Sequence, residues 1–458
     1  MKQKSTYIFI VAFFAIGIGI IAVSYKMKEA KGENLYFALQ ERKGVLASLP
    51  EWVVTRNQAN ELSKTIKEDP SDKKAALALA ALFVQEARVT GNYTYYDKAA
   101  MTQIDHVLKL EPANFDALLF KALIHLSQHH FSDGLAVATQ AQQINPYNAF
   151  VHGILVDANV ELGHYTEAVA QAEKMISIRP DLTSYSRISY LREIHGDLPG
   201  AIEAMKLAVD AGQPGADGTE WTRVQLGHLY ENMGDLKNAA LQYNTALEVR
   251  PGYAHAIAGL GHIAMAQKAY AAAIEKYQQA DSLISDYALK EELVELYRQR
   301  GDVKKAANLA LSVVSAMSDA AIAAKSDETV GHYADKELAY AYLNVNDLDK
   351  ALEHALAEYN RRPENIDVNE TVAWVYYQRG SISEALPYIK KALRTSSKNS
   401  VLLCRAGLIY VKSGDLKKGN ELLHEGLKNN PAITESLKQE ATQAMQTSAT
   451  ELTKPGSY

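Results

Sequence analysis

The chain of 458 residues is 47% hydrophobic, so its length and composition allow two or three compact domains with buried cores. Residues 1–43 carry seven Lys or Arg against three Glu, whereas the formal net charge of the whole chain is −6. The remainder is therefore acidic, which disfavours nucleic acid as a ligand. A single cysteine, Cys404, excludes an internal disulfide and any cysteine-based metal cluster.

The first predicted element is an apolar segment, 7–23, without a charged side chain. Its length is close to the minimum for crossing a bilayer, so residues 1–25 are predicted to form a transmembrane helix that anchors the protein in the membrane. The basic residues Lys2 and Lys4 favour a cytoplasmic N-terminus, which places the rest of the chain in an extracytoplasmic, periplasmic location. The alternative is a cleaved signal peptide and a soluble periplasmic protein, because a basic start and a small-residue site at Ala22–Ser24 fit that pattern as well.

Residues 26–73 are predicted to form a linker and a degenerate first repeat, after which a regular period begins. Proline recurs at a constant interval at Pro112, Pro146, Pro180 and Pro214. Pro363 and Pro431 lie two such intervals apart, which keeps the same period, and surplus residues fall in the Ala- and Ser-rich segment 317–330. A fixed period of about 34 residues indicates a stack of similar units that bury their apolar faces against one another.

A turn motif recurs between the prolines and reads Gly-Asp-hydrophobic-x-x-Ala. Copies begin at Gly196, Gly234 and Gly301, and variants of it begin at Asn346 and Gly414. Gly or Asn adopts the left-handed conformation that ends one helix, and Asp caps the N-terminus of the next. The small residue that follows lets the two helices approach closely, so the motif predicts helix hairpins.

The pattern within a repeat identifies the family that the chain resembles. In one copy, small, aromatic and proline positions are occupied by Leu226, Gly227, Tyr230, Ala239, Tyr243, Ala246 and Pro251. A later copy has Ala406, Gly407, Tyr410, Gly419, Leu423, Gly426 and Pro431 in these positions. The pattern resembles the tetratricopeptide-repeat (TPR) family over residues 74–431. The resemblance implies an all-α, right-handed superhelical solenoid of about ten helix hairpins, and residues 432–458 are predicted to form a capping helix and tail.

The same resemblance implies a concave groove, lined by the first helix of each hairpin, that binds a protein or peptide partner. Aromatic side chains with interspersed charges are typical of such a binding surface. Carried over by repeat position, the predicted groove residues are Tyr190, Glu193, Trp221, His228, Glu231, His262, Glu295, Arg298, Tyr333, Lys336, Tyr340, Glu370, Trp374 and Tyr377.

Neither a catalytic site nor a metal site is predicted. The sequence contains no phosphate-binding glycine loop, no His-Glu-x-x-His motif and no Gly-x-Ser-x-Gly motif. His125 and His129 are four residues apart on a helix, but their repeat positions are those of a hairpin core and a turn. His228 and His262 lie one repeat apart, and we interpret them as contact residues on the inner face rather than as ligands. We therefore expect no enzyme activity and no cofactor.

The function predicted from the sequence is that of a membrane-tethered scaffold or adaptor. It would bind a partner in its groove and assist assembly of an envelope, secretion or cell-surface complex. A structural subunit that self-associates or lines a filament is the alternative. Capture of foreign partners would favour the adaptor, whereas self-association alone would favour the structural subunit.

Overall fold

The computed structural model describes residues 36–326, 331–428 and 433–452. Within these ranges the chain forms 22 α-helices and two short 3₁₀ helices, Gly44–Ser48 and Leu393–Thr395, and none of the described residues lies in a β-strand. In chain order the α-helices are α1 (Pro50–Glu68), α2 (Lys73–Thr90), α3 (Tyr93–Leu110), α4 (Phe115–Ser127), α5 (Phe131–Ile144), α6 (Ala149–Leu162), α7 (Tyr165–Ile178), α8 (Leu182–Ile194), α9 (Leu198–Asp210), α10 (Asp217–Asn232), α11 (Leu236–Val249), α12 (Ala254–Ala266), α13 (Tyr270–Asp281), α14 (Tyr287–Gln299), α15 (Val303–Ser326), α16 (Asp335–Asn344), α17 (Leu348–Arg361), α18 (Ile366–Gln378), α19 (Ile382–Ala392), α20 (Ser400–Lys412), α21 (Leu416–Leu427) and α22 (Glu435–Leu452).

Helices α2 to α21 pack as ten consecutive pairs, with α1 before them and α22 after them. The prediction of an all-helical solenoid is therefore confirmed. Helix α15 extends to Ser326 and has 24 residues, so most of the surplus predicted for residues 317–330 lengthens this helix. Residues 327–330 of that surplus lie outside the described part of the chain.

The turn within each pair has the backbone that the sequence motif predicts. Gly234 ends α10 with a φ of 81°, and the Asp235 carboxylate accepts a hydrogen bond from the Asn238 N–H at 3.0 Å, which caps α11. Lys268 occupies the corresponding place after α12 and adopts a φ of 60° although it is not a glycine. The repeat therefore keeps its turn where the residue type departs from the motif.

Small residues at the helix crossings fix the position of one large aromatic ring. A Cβ atom added to Gly227 would lie 2.3 Å from the Tyr243 ring, and one added to Gly259 would lie 2.6 Å from it. Tyr243 is 0% exposed, because its ring fills the space that these two glycines leave between α10, α11 and α12. Its hydroxyl group is thereby held at one place on the inner face.

Residues about 200 positions apart are in contact, because the superhelix completes a turn in about six repeats and consecutive turns touch. The Ser285 N–H donates to the Thr90 carbonyl at 3.2 Å, and the Tyr333 N–H donates to the Gln128 carbonyl at 3.1 Å. In each contact, the end of the first helix of one pair meets the segment that precedes the first helix of the pair six repeats later. The two contacts are those of α2 with the segment before α14 and of α4 with the segment before α16. They supply hydrogen-bond partners for backbone groups that loops would otherwise present to water.

Several hydrogen bonds join the end of α6 to the start of α18, in the next turn. The Asn365 side-chain amide donates to the Glu161 carbonyl at 3.0 Å, and the Ile366 N–H donates to the Tyr165 hydroxyl oxygen at 3.0 Å. Arg362, which is 4% exposed, forms an ion pair with the Glu161 carboxylate across the same boundary. The first helices consequently face a partly enclosed space, which we call the lumen and define by the lining residues Tyr190, Trp221 and Asp367.

Both ends of the described chain add contacts to the superhelix. Near the N-terminus, the buried Arg42 guanidinium donates to Glu86 at 3.0 Å and to Glu51 at 3.0 Å, and Glu51 in turn pairs with Arg250 at 2.8 Å. At the C-terminus, α22 packs on α20 and α21, and Glu435 pairs with Lys268 at 3.2 Å. This final helix occupies the place for which the sequence predicts a capping helix.

The predicted localisation needs correction. Among the residues that the structure describes, no helix is both long enough and apolar enough to cross a bilayer. The predicted transmembrane segment, residues 7–23, lies outside the described part of the chain. This finding contradicts the predicted assignment as a single-pass membrane protein with a periplasmic repeat domain.

Candidate partner-binding lumen

A cavity of about 340 Å³ opens on the inner side of α6, α8 and α10. Its wall contains two large aromatic side chains, Tyr190 on α8 and Trp221 on α10, each 40% exposed. Met205 and Leu229 extend the apolar part of the wall. Exposed aromatic rings on a concave surface are typical of a binding pocket, because a ligand can bury the part of each ring that the protein leaves exposed.

A second cavity of about 180 Å³ shares Tyr190 and Glu193 with the first. Its opposite wall comes from the next superhelical turn and includes Asp367 and Glu370 of α18 and Lys398 before α20. The two cavities are therefore adjacent, and both superhelical turns contribute to the lumen. Packing of the turns assembles this wall from residues that are distant in the sequence.

The carboxylates of the lumen differ in how they are compensated. Asp157 accepts from the Arg187 guanidinium at 2.9 and 2.5 Å, and Glu370 accepts from Arg405 at 2.9 Å. Glu193 receives a hydrogen bond from the Asn232 amide at 3.0 Å but forms no ion pair with another described residue. Burial raises the pKa of Glu193, and the negative charge of Asp367 raises it further against the effect of the Asn232 hydrogen bond.

Three further predicted residues, His228, Glu231 and His262, form one cluster on α10 and α12. Glu231 is 4% exposed and accepts from the Tyr243 hydroxyl at 2.7 Å. Burial alone would raise the pKa of Glu231, but hydrogen bonds to His228 and His262 outweigh burial and lower the pKa to about 2. Burial would lower the pKa of His262, but the neighbouring Glu231 raises it. A positively charged group is therefore favoured beside this carboxylate.

Other predicted groove residues are engaged by the protein itself. Trp374 and Tyr377 are each 9% exposed, and their rings stack at 5.0 Å between centroids. The Tyr377 hydroxyl donates to Glu440 of the final helix at 2.7 Å, and the Arg405 guanidinium lies over the Trp374 ring at 4.8 Å. Both aromatic rings belong to the core near the C-terminal end, so they are not available as anchors for a partner.

Tyr340 and Lys336 on α16 are half-buried. Tyr340 accepts from the Arg405 guanidinium at 2.9 Å. Burial would lower the pKa of Lys336, but the charges of Asp367, Glu337 and Glu161 outweigh burial and raise it. These two residues therefore belong to the charge network at the edge of the lumen.

The three remaining predicted residues take other roles. Glu295 accepts from Gln299 at 2.8 Å, and Arg298 donates to the Asn344 side chain at 2.9 Å, so both contact their own neighbours on or near α14. Tyr333 precedes α16 and lies at the contact between turns, where its ring meets the His130 ring at 4.2 Å. Of the fourteen predicted residues, Tyr190, Glu193, Trp221, His228 and Glu370 line the two cavities. Whether they bind a partner stays a prediction.

The sequence reasoning missed Asp157, Arg187, Asp367 and Arg405. The repeat register contained a signal for two of them. Asp367 precedes Gly380 by the same interval as Trp221 precedes Gly234, and Asp157 precedes Gly163 by the same interval as Tyr190 precedes Gly196. Extending the register to every repeat would have included both acids.

The fold is that of a helical-repeat protein with a concave inner surface, a class whose members are generally protein-interaction scaffolds. A family model described as "Tetratricopeptide repeat" matches residues 224–288 and 336–400, so the repeats in these two segments are of the tetratricopeptide type. The first segment runs from α10 to the start of α14, and the second runs from α16 to the start of α20.

Several solved structures are similar to the chain at low sequence identity. A thermophilic TPR protein of Thermus thermophilus is 22% identical, with 39% of this chain and 92% of that chain covered and a TM-score of 0.35. Human IFIT1 with PPP-AAAA is 16% identical, covers 76% of this chain and 83% of that chain, and has a TM-score of 0.47. The APC/C hetero-tetramer Cut9–Hcn1 is 12% identical, with coverage of 87% and 94% and a TM-score of 0.37. No curated protein matches the sequence.

Proposed function

We propose that the protein is a scaffold that holds an extended, positively charged segment of a partner protein in its lumen. The observation that carries this proposal is the combination of two exposed aromatic rings, Tyr190 and Trp221, with two carboxylates, Glu193 and Asp367, that form no ion pair with a described residue. A Lys or Arg side chain would stack on the rings and meet the carboxylates.

Electrostatics favours a cationic ligand over other chemistries. The pKa of Glu193 is raised by burial and by the charge of Asp367, and a cation placed between the two carboxylates would relieve that repulsion. A phosphate backbone would instead meet these two negative charges and be repelled.

The dimensions favour an extended segment over a folded domain. A cavity of about 340 Å³ accommodates a few side chains, whereas an α-helix with its side chains is about 10–12 Å across. Contacts between turns, such as that of Asn365 with Glu161, narrow the approach from the side. A single strand of polypeptide fits this space with its side chains directed at the wall.

The proposal is tested by selecting binders from a library of 12-residue peptides and measuring the affinity of the enriched sequences by isothermal titration calorimetry. Enriched peptides should carry net positive charge. Trp221→Ala and Glu193→Gln should each weaken their binding by a factor of ten or more, since a buried aromatic or charged anchor dominates binding energy. Tyr147→Ala and Glu203→Gln are matched controls, because both side chains are exposed outside the two cavities.

Enrichment of neutral or acidic peptides would contradict the proposed ligand, and equal losses in the control variants would contradict the proposed place. The role in assembling an envelope, secretion or cell-surface complex stays a prediction, as does the alternative of a self-associating structural subunit. Light scattering of the purified protein addresses the alternative, which requires a mass above the 50.4 kDa of one chain.

A further inference from the structure

The cluster of His228, Glu231 and His262 brings two imidazole groups to one buried carboxylate. The Nδ1 atoms of His262 and His228 lie 3.3 and 3.5 Å from the same Glu231 oxygen, Oε2. One ligand atom from each of the three side chains lies within 4.8 Å of the other two. Hydrogen bonds between a charged nitrogen and a carboxylate are normally about 2.7–2.9 Å long, so the two contacts from histidine to Glu231 are long hydrogen bonds.

The same separations match the coordination sphere of a small cation. Zinc binds His nitrogen and carboxylate oxygen at about 2.0–2.1 Å with tetrahedral geometry, which places neighbouring ligand atoms about 3.3–3.5 Å apart. Two imidazole groups and one carboxylate are also the ligand types that a divalent zinc-like ion prefers. The repeat produces the arrangement, because His228 and His262 are one repeat apart and occupy one position on the neighbouring helices α10 and α12.

Tyr243 positions the carboxylate of this cluster. Its hydroxyl donates to the other Glu231 oxygen, Oε1, at 2.7 Å and lies 2.9 Å from Nδ1 of His228, so it contacts two of the three side chains while Oε2 faces both histidines. The Tyr243 ring is fully buried between Gly227 and Gly259, so the hydroxyl has little freedom to move. A hydrogen bond that orients a ligating carboxylate is a regular feature of protein metal sites.

We propose that His228, Glu231 and His262 bind one zinc-class divalent cation, with a fourth coordination position open towards the lumen. His228 lines the 340 Å³ cavity, so a water molecule or a ligand group can reach this position. The site is independent of the cationic peptide proposed above, because it requires neither Glu193 nor Asp367. Histidine binds a metal ion only through a deprotonated nitrogen, so affinity should increase with pH.

The test is titration of the chelator-treated full chain with Co²⁺ and Zn²⁺. Co²⁺ should give the visible absorption of a four-coordinate ion at a stoichiometry of one, and Zn²⁺ should displace it. His262→Ala and Glu231→Gln should each weaken Zn²⁺ binding by more than a hundredfold. Tyr243→Phe retains all three ligands and should weaken it by about 10- to 100-fold, as loss of an orienting hydrogen bond does.

A second histidine group, His125, His130 and Asp133, provides the matched control, because its potential ligand atoms are also within 4.8 Å of one another. His125→Ala should leave the affinity unchanged. Loss of binding in His125→Ala with retention in His262→Ala would overturn the proposal, and so would Zn²⁺ binding of equal strength in all variants. Circular dichroism of each variant confirms that it is folded. If His262→Ala does not fold, Glu231→Gln provides the test instead. The proposal would be overturned if Zn²⁺ raised the melting temperature of Glu231→Gln as much as that of the wild type.

Discussion

Substitution of Gly163 by alanine would test whether the superhelical turns pack against each other in solution. Gly163 ends α6 with a φ of 80°, and a Cβ atom there would lie 2.2 Å from the backbone of Glu364 in the next turn. No side-chain rotation relieves a clash with backbone atoms, so the two turns must separate locally. We therefore expect Gly163→Ala to destabilise the protein and to expand it.

The magnitude follows from two contributions. Alanine in the left-handed conformation costs about 1–2 kcal/mol. Separation of the turns also removes hydrogen bonds across the boundary, including those from Asn365 to Glu161, from Ile366 to Tyr165 and from Arg394 to Gly163. At about 1 kcal/mol of net stability each, these three bonds add about 3 kcal/mol.

Gly301→Ala is the matched control for this experiment. Gly301 ends α14 with a φ of 78°, and nothing lies within 4 Å of the place where its Cβ would be. Both variants place alanine in the left-handed conformation, but only Gly163→Ala brings a Cβ atom against the next turn. The difference between their denaturation midpoints therefore measures the stability that the contact between turns contributes. Small-angle X-ray scattering should show a larger radius of gyration for Gly163→Ala alone. Equal midpoints and equal radii would refute the packing of the turns.

Three further predictions concern individual side chains. The rings of His129 and His332 lie 4.2 Å apart at the contact between turns, and burial lowers the pKa of both side chains. As pH falls below about 6.5, the unfolded chain therefore binds more protons than the folded protein does, and the folded state is destabilised. Acidification should therefore lower the urea midpoint of the wild type more than that of His332→Asn, and parallel pH profiles would contradict this. Trp374→Ala should lower the free energy of unfolding by about 3–5 kcal/mol, because Trp374 is 9% exposed. Trp221→Ala should lower it clearly less, because Trp221 is 40% exposed. Equal losses in the two variants would place both rings in the core. Cys404 is fully buried and burial raises its pKa to about 11, so native protein should not react with a thiol reagent while unfolded protein should.

Local structure was predictable from the sequence because it depends on residues close in the chain. The turn motif fixes a left-handed residue and a helix cap, and the structure has both at Gly234 and Asp235. At Lys268 the repeat period predicts the position of the turn better than the residue type does, since this lysine adopts the left-handed conformation that glycine has in other copies. Stacking of neighbouring pairs supplies the burial that overrides local preference.

The candidate site was predictable only in part. Repeat position assigned Tyr190 and Trp221 to the inner face, and both side chains line the lumen. Burial of Trp374 was not predictable, because the final helix covers this end of the superhelix and Tyr377 bonds to Glu440 of that helix. Contact between turns was not predictable either, since small rotations between successive repeats accumulate over about six repeats before two turns meet.

Closure of the superhelix and the chemistry of its lumen are physically linked through the start of α18. Ile366 bonds to Tyr165 in the other turn, and the adjacent residue, Asp367, is one of the carboxylates proposed to bind a cationic segment. The backbone contact that joins the turns therefore also sets the position of this carboxylate relative to Glu193 and Tyr190. A change that separates the turns, such as Gly163→Ala, removes one wall of the second cavity while it leaves the first cavity, with Trp221, on a single turn. Affinity for a cationic peptide should then decrease while the aromatic contacts persist. The contact with Asp367 depends on packing between two turns, whereas the contact with Trp221 depends only on repeats within one turn.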